Sequence, residues 1–290
     1  MPDYGSPTVR RRRLAAELRR LRDQSGLTGD EVAARLGWSA SKISRYELAR
    51  TGLKPVDVKK LLDLYGVGPA RKEQLLALAR DATERGWWEA YSDDLLGEYA
   101  DFIGLEDEAT SILTWQLECV PGLLQTAEYA RQVNGGYQRV TATPPGKMER
   151  LVQVRLSRQE ILTRQSPPEL SVVIDESALL RELADPPVMR AQLERLVEAS
   201  QMPGVTVRVL PLRGPHPVII GSFTIFRFGE ARETTMPDVV ATEHLVSNLS
   251  FEGETDTFQY LESYRNFAEA ALSVAASAEL IYDISRRAWS

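Results

Sequence analysis

The sequence predicts a two-domain chain. An all-α domain of five helices occupies residues 1–80, and an α+β domain with a mixed sheet occupies 111–290. An aromatic and acidic helical connector at 81–110 joins them. Three observations carry this reading. At 290 residues the chain is nearly twice the length of a domain of about 150 residues. Apolar residues recur at helical spacing before residue 80, whereas short apolar runs alternate with helical segments after residue 110. The charge divides at the same place. Residues 1–80 hold 17 Lys/Arg and nine Asp/Glu, a net of +8, and residues 81–290 hold 18 and 32, a net of −14, so that the whole chain carries −6.

Composition excludes several classes. With 43% apolar and 26% charged residues the chain can bury a core, which argues against global disorder. No apolar run approaches the roughly 18 residues of a membrane span, and the N-terminal basic run MPDYGSPTVRRRR has no apolar stretch behind it, unlike a secretory signal. One cysteine, Cys119, excludes an internal disulfide framework and suits a reducing cytosol. One Cys and two His are too few for a Cys/His zinc site, so neither metal nor cofactor is expected.

In the first helix, Val9 to Arg22, Leu14, Leu18 and Leu21 share one face. Arg10 to Arg13 stand at its start, where the helix dipole disfavours cations. An external anion such as DNA phosphate would account for them, and Arg11 and Arg12 are the candidate contacts; a solvated arm is the alternative. Thr28-Gly29-Asp30-Glu31 forms a capping box for a second helix, which ends at Gly37. Ser39 caps a third, Ala40 to Arg50. On it Ile43 and Tyr46 point to a core, while Ser41, Ser44, Arg45 and Leu48 point outward. Short polar residues with one arginine suit a major groove, where Arg can bond guanine O6 and N7. Pro55 opens a fourth helix carrying Val58, Leu61, Leu62 and Tyr65, and a fifth covers Ala70 to Arg85.

The order of helix, glycine turn and second short helix resembles the helix-turn-helix unit of the xenobiotic-response-element (Cro/cI-type) regulators. The residues that carry it are Leu27-Thr28, Glu31-Val32-Ala33, Leu36-Gly37, Ser39 and Ser41 through Glu47. Here Glu47-Leu48-Ala49-Arg50-Thr51-Gly52 runs longer before its glycine than the family's usual ending. The resemblance implies base reading by Ala40, Ser41, Ser44 and Arg45, and phosphate contacts near Thr28, Lys42 and Arg50.

Gly86-Trp87-Trp88 to Leu105 reads as a connector packed on one domain or the other. Beyond it, strands are expected at Ile112–Val120, Leu170–Asp175, Val205–Pro211 and Ser222–Phe228, with two more at Val239–His244 and Leu249–Phe251. Helices are expected at Leu123–Val133, Lys147–Arg164, Glu176–Leu183, Pro187–Met202, Thr255–Leu272 and Ser273–Ala288, with a loop bracketed by Asn134-Gly135-Gly136 and Pro144-Pro145-Gly146. Strands without a regular βα repeat predict a mixed sheet. Ser222–Phe228 is apolar on both faces, which suits a central strand.

The phrases Val120-Pro121-Gly122-Leu123-Leu124-Gln125-Thr126-Ala127-Glu128-Tyr129-Ala130, Arg158-Gln159-Glu160-Ile161-Leu162, Ile174-Asp175-Glu176-Ser177-Ala178-Leu179, Gln192-Leu193, Val205 through Pro211 and Gly221-Ser222-Phe223 resemble the C-terminal domain of WhiJ-like regulators of filamentous actinomycetes. That resemblance implies a cytoplasmic regulator, found with the nucleoid when bound to DNA. It also implies a small BldB-like protein partner, in an arrangement akin to toxin–antitoxin pairs. A single reading helix reaches few bases, so a homodimer on a pseudo-palindromic duplex is expected.

Enzymatic chemistry has thin support. No nucleophile elbow, phosphate loop or dinucleotide fingerprint occurs. Asp175 and Glu176 either form an acid/base pair or cap a helix. With Glu243 and His216 they are the candidates of the alternative reading, an enzyme carried by a DNA-targeting domain. Trp115, Asp175, Glu176, Phe226 and Phe228 are the candidates for a ligand or partner pocket, with plain core as the other reading of the aromatics. Cys119 is expected as a buried small hydrophobe on a strand.

Overall fold

Leucine spacing and cap residues set the first eighty positions. The computed structural model describes residues 7–83, 86–91, 97–141, 144–229, 237–243, 248–251 and 253–289. Helix α1 (Pro7–Gln24) buries Leu14, Ala15 and Leu18. Helix α2 (Gly29–Leu36) starts at the Thr28–Glu31 capping box and stops at Gly37, whose φ of 65° needs no Cβ. Helix α3 (Ala40–Glu47) is capped by Ser39, which accepts from the Lys42 N–H at 3.2 Å. Helices α4 (Pro55–Leu64) and α5 (Pro69–Asp81) each open on a proline, whose missing N–H would have no partner in a first turn. Val32, Ile43, Val58, Leu61, Leu62 and Leu75 close the core with the α1 leucines.

The four arginines do not form an arm. Helix α1 begins two residues earlier than expected and takes them into its first turns. Arg10 is buried and donates from Nη1 to the Asp81 carbonyl at 3.1 Å. The unfavourable start of α1 is thereby offset at the C-terminus of α5, where carbonyls carry partial negative charge. Arg11 and Arg12 are half-buried.

The main division between two compact units falls between residues 89 and 90, within the stretch expected as a connector. A 3₁₀ turn, Trp87–Tyr91, buries Trp88 edge-on to Trp87 at 5.8 Å. Gly86 lies so close that a Cβ there would come within 2.5 Å of the Trp88 ring.

In the second unit the sheet is mixed, as expected, with order β3-β2-β1-β4-β5-β6. Strands β1 (Ser111–Gln116), β2 (Glu169–Asp175) and β3 (Val205–Leu210) run parallel. Strands β4 (Phe223–Arg227), β5 (Val239–Glu243) and β6 (Asn248–Phe251) add antiparallel from β1 outward. His244 lies outside the described residues. One face, with Trp115, Phe223, Ile225 and Val240, packs under α11 (Glu254–Ala270) through Tyr264 and Phe267. On the other, Phe226 meets Phe102 of α6 (Gly97–Glu108) at 5.1 Å. Both faces of β4 are buried, as its sequence predicts. Helix α12 (Val274–Arg287) and the residues before it close the outer edge of β3. The Val209 N–H donates to Ser277 Oγ and the Val209 carbonyl accepts from the Leu272 N–H, each at 2.9 Å.

Between β1 and α7 (Ala127–Thr141) the chain runs irregularly through the interior, so its backbone groups need partners. Glutamine side chains supply them. Gln125 Nε2 donates to the Val120 carbonyl at 2.7 Å, and Gln159 Nε2 to the Gly122 and Gln125 carbonyls at 3.0 and 2.7 Å. Gln192 lies on α10 (Pro186–Ala199). It donates to the Leu124 carbonyl at 2.8 Å and accepts from the Thr126 N–H at 2.7 Å. The expected helix Leu123–Val133 therefore begins only at Ala127, after one 3₁₀ turn at Gly122–Leu124. Cys119 lies in the bend after β1, half-exposed, and not on the strand.

Helix α7 also continues through Asn134-Gly135-Gly136 to Thr141, where a loop was expected. Helix α8 (Pro145–Arg158) packs along it, with Arg131 and Glu149 3.1 Å apart at the surface, and it is this packing, not the exposed ion pair, that outweighs the two glycines. A Cβ on Gly136 would meet nothing within 4 Å. Gly136→Ala should therefore raise stability by about 0.5–1 kcal/mol, by removing unfolded-state freedom. A urea midpoint that falls would show that this stretch is not helical in solution.

A buried ion pair ties α8 to α6. Arg158 donates to both Glu106 oxygens at 2.6 and 2.7 Å and to Tyr99 Oη at 2.6 Å, with 5% of either charged side chain exposed. Arg158→Ala should cost about 3–5 kcal/mol, because Glu106 is left buried and unpaired. Glu106→Leu with Arg158→Met should recover most of that loss. Equal urea midpoints for wild type and the single variant would remove the pair from the account.

Candidate nucleic-acid interface

The face of α3 follows from its eight-residue sequence. Ile43 and Tyr46 are buried, while Ala40, Ser41, Ser44, Arg45 and Leu48 are exposed, Leu48 at 48%. The small residues leave the backbone of α3 open to close approach. Neither Arg45 nor the exposed Arg50 has an ion pair or hydrogen-bond partner for its guanidinium among the described residues. The helix closes in a left-handed turn at Ala49, φ 53°, with the Arg50 N–H donating to the Arg45 carbonyl at 2.9 Å. This turn does the work expected of a glycine and explains the longer run before Gly52. An alanine there carries roughly 1 kcal/mol of strain.

Two polar clamps hold the back of α3. Arg22 of α1 donates to both Glu47 oxygens, at 2.6 and 3.0 Å, and to the Leu27 carbonyl at 2.9 Å. Donation to Glu47 raises the Arg22 pKa further. On the other side Tyr46 Oη donates to Asp57 of α4 at 2.6 Å, and Lys42 Nζ lies 2.9 Å from the same carboxylate and 3.7 Å from the Trp38 ring centre. Burial, reinforced by the bond to Asp57, pushes the Tyr46 hydroxyl up. Burial also pushes the Asp57 carboxyl up, but the bonds from Tyr46 and Lys42 outweigh it and hold the carboxyl below its usual value.

The placement of the expected phosphate contacts differs from one to the next. Arg50 is exposed. Lys42 is committed to Asp57 and Trp38, because the side chain next to Ile43 on the helix turns toward α4 and not outward. Thr28 Oγ1 accepts from the Glu31 N–H at 3.2 Å and donates to Glu31 Oε2 at 2.9 Å. The Glu31 carboxyl, held low chiefly by the Thr28 backbone N–H, puts a negative charge at the start of α2. Arg19, which the sequence reading passed over, shares a shallow depression with Ala40, Ser41 and Ser44. Its polar helix position carried no signal of which neighbour it would face.

The second domain does not assemble the expected pocket. Trp115 pairs with Phe223 and stacks on Phe267 at 4.0 Å, whereas Phe226 pairs with Ile112 on the opposite face. Phe228, two residues on from Phe226, is buried as well. Strand alternation therefore separates Trp115 from Phe226 and Phe228. Asp175 is buried and accepts from the Ser177 N–H at 2.9 Å, the capping role. Glu176 Oε2 accepts from the Leu212 N–H at 2.8 Å, and His216 Nε2 lies 3.0 Å from the Pro211 carbonyl in an exposed loop. The Glu243 side chain lies outside the described residues. Among the described residues no His/Cys/Asp/Glu group could hold a metal ion, and no helix is long and apolar enough to cross a membrane.

The Asp57 cluster makes α3 sensitive to acid. A carboxyl held low in the fold contributes stability above its unfolded value, near pH 4, and that stability disappears as pH falls through the folded value. Asp57→Asn should lower the melting temperature at pH 7 and narrow the gap to wild type below about pH 4. A gap constant from pH 7 to pH 3 would show that the carboxylate charge is not what holds α4 to α3.

Two family models match the chain. A helix-turn-helix domain matches residues 13–75, and a domain of unknown function, DUF5753, matches residues 99–283. No curated protein and no solved structure matches.

Proposed function

We propose a function for a chain that belongs to the DUF5753 domain family and carries a helix-turn-helix domain ahead of it: it is a sequence-specific DNA-binding regulator of transcription. The observation that carries this is the exposed face of α3, with Ala40, Ser41, Ser44 and Arg45 turned away from a core that holds Ile43 and Tyr46. Ser41, Ser44 and Arg45 read base edges in a major groove, Arg45 by a bidentate bond to guanine, and Leu48 contacts a thymine methyl or sugar. Arg50 meets phosphate.

The finer reading is a xenobiotic-response-element-type regulator of the WhiJ-like group, a repressor or autoregulator that acts in the cytoplasm. It binds a pseudo-palindrome as a homodimer, with two reading helices about 34 Å apart. The acidic domain supports the dimer and receives a small effector or a BldB-like protein. It is a binding module and not an enzyme. The hydrogen bonds already made by Asp175 and Glu176 favour this reading over the catalytic one.

Selection from a random duplex library, with wild type and Arg45→Ala side by side, tests the proposal. Wild type should enrich a pseudo-palindromic sequence. Arg45→Ala should lose preference at one position per half-site, at a cost of about 1–3 kcal/mol. No enrichment by wild type would remove the regulator reading, and equal preference in the variant would remove Arg45 from base reading.

A further inference from the structure

We infer that Arg19 on α1 is a phosphate anchor that sets α3 in the groove; this rests on the DNA-reading proposal above. Three observations converge. Arg19 lines the same depression as Ala40, Ser41 and Ser44, beside the exposed face of α3. Its side chain is exposed, and among the described residues its guanidinium has no ion pair or hydrogen-bond partner. Arg22, one turn further on, is instead held by Glu47 at 2.6 Å, which fixes α1 against α3.

Dimensions decide what Arg19 reaches. Packed helices lie about 8–10 Å apart, and the major groove is about 12 Å wide. With α3 along the groove floor, α1 stands over the groove wall, which is the sugar–phosphate backbone. Arg19 therefore meets a phosphate and not a base edge. Asp30 and Glu47 also border the depression. Glu47 is neutralised by Arg22, and Asp30 disfavours an anion on the α2 side, which places the phosphate on the α1 side. Arg11 and Arg12 lie about 12 Å or less back along α1 at 1.5 Å per residue, toward the end that Arg10 ties to α5, and do not replace Arg19 here.

The test is a salt titration of binding by the full chain. Its probes are a duplex carrying the wild-type-selected sequence and a shuffled duplex of equal length, between about 50 and about 200 mM salt. Arg19→Ala should reduce the slope of log affinity against log salt by about 0.9 per bound chain. It should weaken both duplexes about five- to tenfold near 0.1 M salt and leave the ratio between them unchanged. Arg19→Lys should restore the slope, which a merely structural role would not produce. An unchanged slope in Arg19→Ala, or a changed ratio between the duplexes, would overturn the inference while the regulator reading stands. A wild type that binds neither duplex would overturn the regulator reading and the inference with it.

Discussion

An eight-residue helix cannot hold itself in water, because nucleation costs more than so short a ladder of hydrogen bonds returns. Everything proposed for α3 depends on that constraint. Its outer face must stay free for a partner, so its order has to come from behind and from its ends. Ile43 and Tyr46 supply the apolar contact, Ser39 closes the start, and the left-handed Ala49 turn closes the finish. Arg22–Glu47 and Tyr46–Asp57–Lys42 then fix the helix from α1 on one side and α4 on the other. These bonds give α3 little spare freedom, which is what a reading helix needs, since side chains preset in place lose less entropy on binding.

The second domain meets a related difficulty in another way. The segment from Val120 to Thr126 belongs to neither sheet nor long helix, yet most of it is buried. Gln125, Gln159 and Gln192 replace the missing ladder, each amide able both to donate and to accept. Their positions coincide with the sequence phrases that mark the C-terminal domain. Those phrases therefore have a structural reason to be there, and they need no catalytic role to explain them.

What was legible in the sequence was local. The Thr28–Glu31 box, Gly37, Ser39 and the outward set on α3 rest on spacings of three or four residues, and the structure places them accordingly. The mixed sheet was legible because the strand-like runs follow no regular βα repeat. Pairings across long separations were not legible. Arg158 with Glu106 spans 52 residues, and the separation of Trp115 from Phe226 appears only once the register of β1 against β4 is set. Glycines misled at α7, where packing against α8 overrides a local preference for a turn. Arg19 and Lys42 show the same limit within the site. Both look like surface cations in sequence, and only the tertiary arrangement separates the one left without a partner from the one bound to Asp57.

That distinction changes the meaning of the charge division. A net of +8 over residues 1–80 suggests many phosphate contacts. Much of that charge is structural. Arg10 serves the end of α5, Arg20 and Arg71 share buried Glu17, Arg22 holds Glu47 and Lys42 holds Asp57. Cations already held by partners within the fold are not free to meet phosphate, so the salt dependence follows the exposed, unpaired cations and not the formal charge. Arg19, Arg45 and Arg50 are such groups, and all three belong to α1, α3 or the turn after α3.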